Sequence, residues 1–452
     1  MTGAEALRAR MTPVPEGKWL VGFSGGADSL ALLYLLLPQA REGRIRLEAV
    51  HVDHGIRGRE AEEDACFCRE ICGREGIPFH LYRLQPEGRL DEGTARTGRY
   101  AAFRRCAAET GAEGVILAHQ MEDQAETFMM RLMRGAGPEG LACMEADTRQ
   151  GGLRILRPLL GISGKDLRRM LREMDLSWRE DRTNRDPAYL RNAVRLQLMP
   201  EMERLSPGCG ERLARTAALL GEENRAMNRE ADAWLRERSG EDWLDAEALK
   251  SRPPALQRRI LRRWWNTWGP ERKERGLDAA QTEALRELLD RDGGSVNLPG
   301  GLKGVRGRRF LHLTGKPAIR RDPVPVEEER TEFGPWALEK RPAEGNPGDG
   351  KQSQEVPEGF TEGCVIRTRR PGDRIRPFGM NHHRKLQDYL TDRGVEAPWR
   401  DRIPLLCRGD EVLLVAGVGA GNVPRLKDTE KRVRLRWDGE MPWAREATGR
   451  KG

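Results

Sequence analysis

The segment Ser24-Gly25-Gly26-Ala27-Asp28-Ser29 lies where one apolar run, Trp19 to Phe23, gives way to another, Leu30 to Leu37. The first run reads as a buried strand and the second opens a helix, so the chain must turn sharply between them. Gly25 and Gly26 carry no Cβ, which frees their backbone for positive φ and for close approach of N–H groups to an anion. A helix starting near Asp28 adds unpaired N–H groups and the positive end of its dipole. The junction therefore has the chemistry of a phosphate cradle, with Ser24, Gly25, Gly26, Ala27, Asp28 and Ser29 as its residues. No Lys follows in the GxxxxGK[ST] pattern, which excludes a Walker loop. Asp28 instead sets a carboxylate beside the phosphates, an arrangement that calls for a divalent cation, Mg²⁺, between them. The competing reading is an Asp favoured at a helix first turn by the dipole alone.

From Lys18 to Arg134 apolar strands alternate with helical stretches. The strands are Trp19 to Phe23, Leu47 to Val52, Phe79 to Leu84 and Gly114 to Ala118; the helices are 29–37, 59–75, 94–110 and 124–134. Repeated βα units of this spacing predict an α/β fold with a doubly wound parallel sheet and a ligand crevice at the carboxyl ends of its strands. Three segments then converge on one crevice: the loop after Phe23, His51-Val52-Asp53-His54-Gly55-Ile56-Arg57, and His119-Gln120-Met121-Glu122-Asp123-Gln124-Ala125-Glu126. His51 and Arg57 suit phosphate or ribose contact, or else form a polar turn. His119, Glu122, Asp123 and Glu126 collect titratable groups at one strand end, where carboxylates can serve a metal or an amine; Asp123 with Glu126 also reads as a helix-capping pattern. Arg191 and Arg195 stand four apart on one helix face, placed either to meet a phosphate or to pair with Glu201 or Glu203.

Beyond Pro158 the pattern is helical, through 164–173 and 187–205. The boundaries expected are a catalytic domain over 1–208, a small, mainly helical domain over 209–315, a linker or irregular connection over the Pro-, Glu- and Gly-rich 316–363, an α+β domain over 364–440 and a tail over 441–452. Trp264, Trp265 and Trp268, at helical spacing, serve either as core or as stacking platforms for bases.

Lys+Arg 79 against Asp+Glu 71 gives a net charge of +8, which permits an RNA partner without requiring one. The eight Cys contain no CxxC pair, against a disulfide scaffold or a zinc ribbon. The N-terminus has no signal-like apolar core and the run 30–37 is too short to span a bilayer, so no membrane association and a cytoplasmic location are expected. The oligomeric state stays open, a homodimer being one compatible arrangement.

The ordered set SGGADS, HVDHGIR, AHQMEDQAET, RGAGPEGL, RPLLGIS, Trp178-x2-Asp181-x-Thr183-Asn184 and Tyr189-x-Arg191-Asn192-x2-Arg195 resembles the tRNA(Ile)-lysidine synthase family of PP-loop ATP pyrophosphatases. The runs Arg370 to Ile375, Arg384 to Leu390 and Arg402 to Leu406 resemble the same family's C-terminal tRNA-binding domain. The resemblance spans about Trp19 to Gly419 and departs at two positions, where AHHxDDQxET becomes His119-Gln120-Met121-Glu122-Asp123. It implies an adenine nucleotide alpha hydrolase-like first domain, with ATP and Mg²⁺ at Ser24 to Ser29 and His51, the metal on Asp28 and Asp123, and catalysis by Asp28, His119, Asp123 and Arg191. It also implies L-lysine on Glu126 and Asp123, and the CAU-anticodon tRNA(Ile) on Arg57, Arg195, Arg370, Arg374, Arg384 and Lys385. The implied activity joins lysine to C2 of the wobble cytidine through an adenylated tRNA, converting AUG reading to AUA and methionine identity to isoleucine. Another PP-loop enzyme, such as an amidating ligase or a thiolase, and a catalytically silent tRNA binder are the competing readings.

Overall fold

The computed structural model describes residues 3–53, 55, 58–84, 92–180, 190–268, 276–315, 322–343, 349–424 and 431–445. The chain divides into two compact units, 1–229 and 230–452.

The first unit contains α1 (Gly3–Arg10), β1 (Gly17–Gly22), α2 (Ala27–Arg41), β2 (Ile45–Asp53), α3 (Arg59–Glu75), β3 (Phe79–Arg83), α4 (Glu92–Thr110), β4 (Gly114–Ile116), α5 (Met121–Met133), α6 (Pro138–Leu141), β5 (Asp147–Gln150), β6 (Leu153–Leu156), α7 (Gly164–Glu173), α8 (Leu190–Ala193), a π turn (Val194–Leu198), α9 (Met199–Leu205) and α10 (Cys209–Arg238), within which the division between units falls. The sheet runs β3-β2-β1-β4-β6-β5, parallel except for the β5–β6 hairpin. All four strands expected from the sequence are present, and β5 and β6 extend the sheet beyond them. Strand order reverses between β1 and β4, where Val21 is in register with Ile116. At such a switch point the loops leaving the two strands diverge and open a crevice; here they are Phe23–Gly26 and Leu117–Gln120. Burial explains the composition of α2, whose Leu30, Leu32, Leu33, Leu35 and Leu36 are all inaccessible to solvent. A helix covered on every side needs a continuous apolar run rather than a stripe.

The second unit begins with β7 (Trp243–Asp245), α11 (Ala246–Lys250), α12 (Pro254–Trp268), α13 (Ala279–Leu288), β8 (Ser295–Asn297), β9 (Lys303–Arg306) and β10 (Phe310–Thr314), with sheet order β7-β10-β9-β8. Trp264 and Trp265 are buried against Leu256, Leu285 and Leu311, which settles them as core. The chain continues through β11 (Val324–Pro325), β12 (Arg330–Phe333), β13 (Trp336–Pro342), β14 (Ser353–Pro357), β15 (Val365–Arg367), β16 (Arg374–Ile375), β17 (Arg384–Lys385), α14 (Leu386–Asp392), α15 (Ala397–Arg400), β18 (Leu405–Arg408), β19 (Glu411–Val415), β20 (Gly419–Ala420) and β21 (Arg432–Asp438). One sheet runs β11-β15-β18-β19-β16-β17 with β20 beside β19; another runs β12-β13-β21-β14.

Two expectations need correction. The described residues of 316–363 form no irregular connection: β12 pairs with β13, and β13 and β14 flank β21 on either side, while 316–321 and 344–348 lie outside the described residues. Short strands with one polar face can be rich in Glu and Gly and still bury Thr331, Phe333, Leu338 and Val356 on the other face. Nor is 441–445 a loose tail. Met441 and Trp443 are buried, and the Trp443 indole donates to the Ala416 carbonyl at 2.8 Å.

The segments around β10 and α15 share one core. Trp399 packs edge-on against Phe310 at 4.7 Å and His312 at 4.8 Å between ring centres. The buried Glu396 carboxylate accepts from Arg309 N at 2.6 Å, Phe310 N at 3.2 Å and His312 Nε2 at 2.5 Å. Among the described residues no helix is long and apolar enough to cross a membrane.

Candidate active site

The glycine loop takes the conformation its composition requires. Gly25 has φ +83°, and a Cβ there would approach Cys68 Sγ to 3.2 Å and Phe67 to 3.3 Å, so both handedness and space demand glycine. Gly26 is the N-cap of α2 and supplies no side-chain cap, leaving the first-turn N–H groups without one. Ser29 braces the turn: its hydroxyl donates to Gly26 O at 3.0 Å, accepts from Ser24 N at 3.3 Å and lies 3.2 Å from Ser24 Oγ. His51 sits inside β2, buried, with Nδ1 2.8 Å from the carbonyl of Phe23. This contact is to the strand end beneath the loop.

Asp28 occupies the first turn of α2, and its Oδ1 is buried without a hydrogen-bond partner. Burial, reinforced by the negative charges of Asp123 and Glu122, pushes its carboxyl up to about 6, against the opposing fields of Arg168 and Arg195. An orphaned buried carboxylate oxygen near another carboxylate is the donor set a hard divalent cation takes. Among the described residues no three His, Cys, Asp or Glu side chains are arranged to hold a metal ion by themselves. Mg²⁺ needs only one or two protein carboxylates when phosphate and water complete its shell.

Across the crevice, α5 begins with a capping box. Gln120 Oε1 accepts from Glu122 N at 2.8 Å, and Asp123 Oδ2 accepts from Gln120 N at 3.0 Å. Glu122 reaches past its own helix, and its Oε2 accepts from Gly164 N at 3.0 Å, at the start of α7. Both departures from the family pattern therefore do local work, one capping α5 and the other tying α5 to α7.

The remaining lone pairs of Asp123 and both oxygens of Glu126 belong to arginines. Arg191 donates from Nη2 to Asp123 Oδ1 at 2.9 Å and from Nε to Glu126 Oε2 at 3.2 Å. Arg195 donates from Nε to Glu126 Oε1 at 2.6 Å, and from Nη2 to Glu126 Oε2 at 3.0 Å and Asp123 Oδ1 at 3.2 Å. Two acids and two bases form a neutral tetrad around Glu126, whose side chain is 3% exposed. The pairing of these arginines with Glu201 or Glu203 does not occur: Glu201 holds Arg204, and Glu203 accepts from Gly208 N and Gly210 N. Arg195, expected on tRNA, lies instead in this cluster, within the π turn. The ammonium place expected at Glu126 is filled by the chain's own cations.

His119 Nδ1 is buried without a partner, and burial, aided by Arg157, Arg191 and Arg96 against the pull of Asp123, brings the imidazole down to about 4. Arg157 was only part of a quoted motif, yet it is buried, donates to Glu145 O at 3.0 Å and bears on His119. Arg168, with no sequence signal, bears on Asp28 and Glu122. Arg57 and residues 181–189 lie outside the described residues. In the second unit Arg370, Arg374 and Lys385 are exposed, while Arg384 pairs with Asp392 at 2.5 Å.

Comparison with known proteins agrees with this geometry. A PP-loop domain model matches residues 2–202, a TilS substrate binding domain model 244–312 and a TilS substrate C-terminal domain model 364–437. The tRNA(Ile)-lysidine synthase of Symbiobacterium thermophilum is 36% identical, over 89% of this chain and 90% of that protein. Those of Geobacter sulfurreducens, at 33% over 91% of each, and Pseudomonas aeruginosa, at 36% over 93% of each, are similar along the same span. With an uncapped glycine loop at the switch point, an orphaned acid beside it and near full-length similarity, the chain belongs to the tRNA(Ile)-lysidine synthase family.

Proposed function

We propose that this chain is an ATP-dependent ligase that joins L-lysine to C2 of the wobble cytidine in the CAU anticodon of tRNA(Ile), releasing AMP and pyrophosphate. The observation that carries the reading is Asp28: a buried carboxylate oxygen with no partner, at the uncapped start of a helix that follows a glycine turn. The first-turn N–H groups of α2 and the hydroxyls of Ser24 and Ser29 hold the pyrophosphate half of ATP. The cytidine C2 oxygen attacks the α-phosphorus, the bond to pyrophosphate breaks, and the base becomes an adenylate. The lysine amine then attacks C2, AMP departs with the C2 oxygen, and the amine gives up a proton.

Asp28 would hold Mg²⁺, with Asp123 joining it as the arginine contacts on its Oδ1 give way, and the ion would supply charge neutralisation of the phosphates. Lysine enters by exchanging its ammonium for arginine contacts on Glu126 and Asp123. That frees Arg191 to face charge developing on the α-phosphate. His119, neutral because it is buried, offers a hydrogen bond rather than a charge. The base must leave the anticodon stack to reach the crevice, at a cost of a few kcal/mol. Phosphate contacts of the basic surface offset this cost and make binding salt-dependent.

The test is incubation with ATP, labelled lysine and unmodified CAU-anticodon tRNA(Ile). Label in the tRNA together with AMP is expected. Lysine-dependent AMP without label in the tRNA sinks the reading, and full adenylation by Asp28→Ala sinks the site assignment.

A further inference from the structure

The hairpin of β16 and β17 sets Arg374 opposite Lys385 and Ile375 opposite Arg384. At its tip Phe378 is 61% exposed and Met380 44% exposed. By contrast Phe310, Phe333, Phe360, Trp399 and Trp437 of the same unit are all buried. Leaving a Phe ring in water forgoes about 1.5–3 kcal/mol of burial, and nothing about the loop forces this. The turn is shaped by its backbone, with Met380 N donating to Pro377 O at 3.0 Å, Phe378 N to Ala420 O at 3.4 Å, and Gly379 at φ +81°.

The hairpin itself, residues 374–385, carries Arg374, Arg376, Arg384 and Lys385 and no acid. Arg370, Arg374 and Lys385 are exposed and, among the described residues, form no ion pair; Arg376 Nε has no hydrogen-bond partner. Of the acids beside the hairpin, both oxygens of Asp373 accept from the buried Arg367 at 2.8 and 2.9 Å and Asp392 holds Arg384, while Glu411 stands in register with Arg374 on β19 and Asp388 is exposed on α14. An exposed ring among unpaired cations complements a polyanion that carries flat apolar faces, which describes unpaired nucleotides. A second copy of the chain fits poorly. Two apolar side chains fall far short of the roughly 1,200–2,000 Å² a stable interface buries, and facing hairpins would set like charges together.

We infer that Phe378 is a stacking platform for an unpaired base of the tRNA, with Arg374 and Lys385 on the flanking phosphates. The inference rests on the tRNA reading above and adds a mode of contact to it: this hairpin reads single strand rather than duplex. Binding of the full chain to unmodified tRNA(Ile), to a single-stranded oligoribonucleotide and to an RNA duplex of equal length, across a salt series, tests it. Phe378→Ala should weaken tRNA and single-strand binding about 5- to 150-fold, the loss of one base–aromatic stack, with duplex binding and the slope of log Kd against log salt unchanged. Phe378→Trp should keep wild-type affinity, and Arg374→Ala should lower the slope by about one. Wild-type binding by Phe378→Ala, equal losses on single strand and duplex, or a concentration-dependent dimer that the variant abolishes would each overturn the inference. A chain that leaves tRNA unlabelled yet shows a Phe378-dependent preference for single strands refutes the lysine-transfer reading and upholds the stack.

Discussion

Replacing Asp28 by Asn should make the ligand-free protein more stable and inactive. The Asp28 carboxyl is raised from 3.8 to about 6, chiefly by burial. A group whose native pKa lies above its unfolded value binds the proton more tightly when folded, so its contribution to stability falls as pH rises through that interval. At pH 7 the folded protein then carries a cost of about 3 kcal/mol for ionising this side chain, falling to roughly half of that at pH 5 and to under about 1 kcal/mol at pH 4. An amide at the same place carries no charge but keeps a buried polar atom without a partner, which takes back about 1 kcal/mol or more. The expected gain is therefore about 1–2 kcal/mol at pH 7, narrowing as pH falls. Hydrogen exchange of the β1 and α2 amides, in chelator and without nucleotide, reads the opening free energy of the first unit alone. Lower protection in Asp28→Asn at pH 7, or a gain independent of pH, would refute the argument. With nucleotide and Mg²⁺ present the order should reverse, since only the wild type retains the carboxylate anchor.

Three other outcomes follow from the site. Arg195→Ala takes the donor from Glu126 Oε1 and leaves Arg191 as the one remaining partner on Oε2, and should cost about 1–3 kcal/mol in the opening energy of α5; adding Glu126→Gln should recover part of the loss, and strict additivity would show the pair to be uncoupled. The His119 imidazole should stay neutral in an NMR titration down to about pH 5, with a midpoint near 4; because the unfolded chain takes up that proton first, the first unit loses stability as pH falls from 6.5 towards 4, opposite in sign to the Asp28 effect. Glu122→Asp restores the family residue but shortens the reach to Gly164 N, and should destabilise the start of α7 by about 1 kcal/mol in hydrogen exchange.

The glycine loop was legible because its constraint is local: two adjacent residues without Cβ between an apolar strand and an apolar helix leave few conformations. The parallel sheet was legible for the same reason, its strands being short, largely apolar stretches set between longer helical ones. What escaped depends on partners far along the chain. Glu126 and Arg195 are 69 residues apart, and nothing in either segment says that they meet rather than face a ligand. Glu122 looked like a lapse from a motif until its carboxylate was found on Gly164. In 330–333 the alternation Arg-Thr-Glu-Phe was visible, but four residues flanked by Gly and Pro carry too little pattern to outweigh composition, and only pairing across to β13 makes them a strand.

The Glu396 carboxylate that receives Arg309 N, Phe310 N and His312 constrains how the second unit can be divided. Two family models meet this chain there as separate segments, 244–312 and 364–437, which invites cutting between them. A fragment ending near Thr314 would keep two backbone donors and an imidazole with their acceptor gone, and would lay Phe310 bare where Trp399 now covers it. Such a fragment should be insoluble or molten, and an exchange of C-terminal segments between relatives should succeed only when β10 travels with the residue that stands at 396.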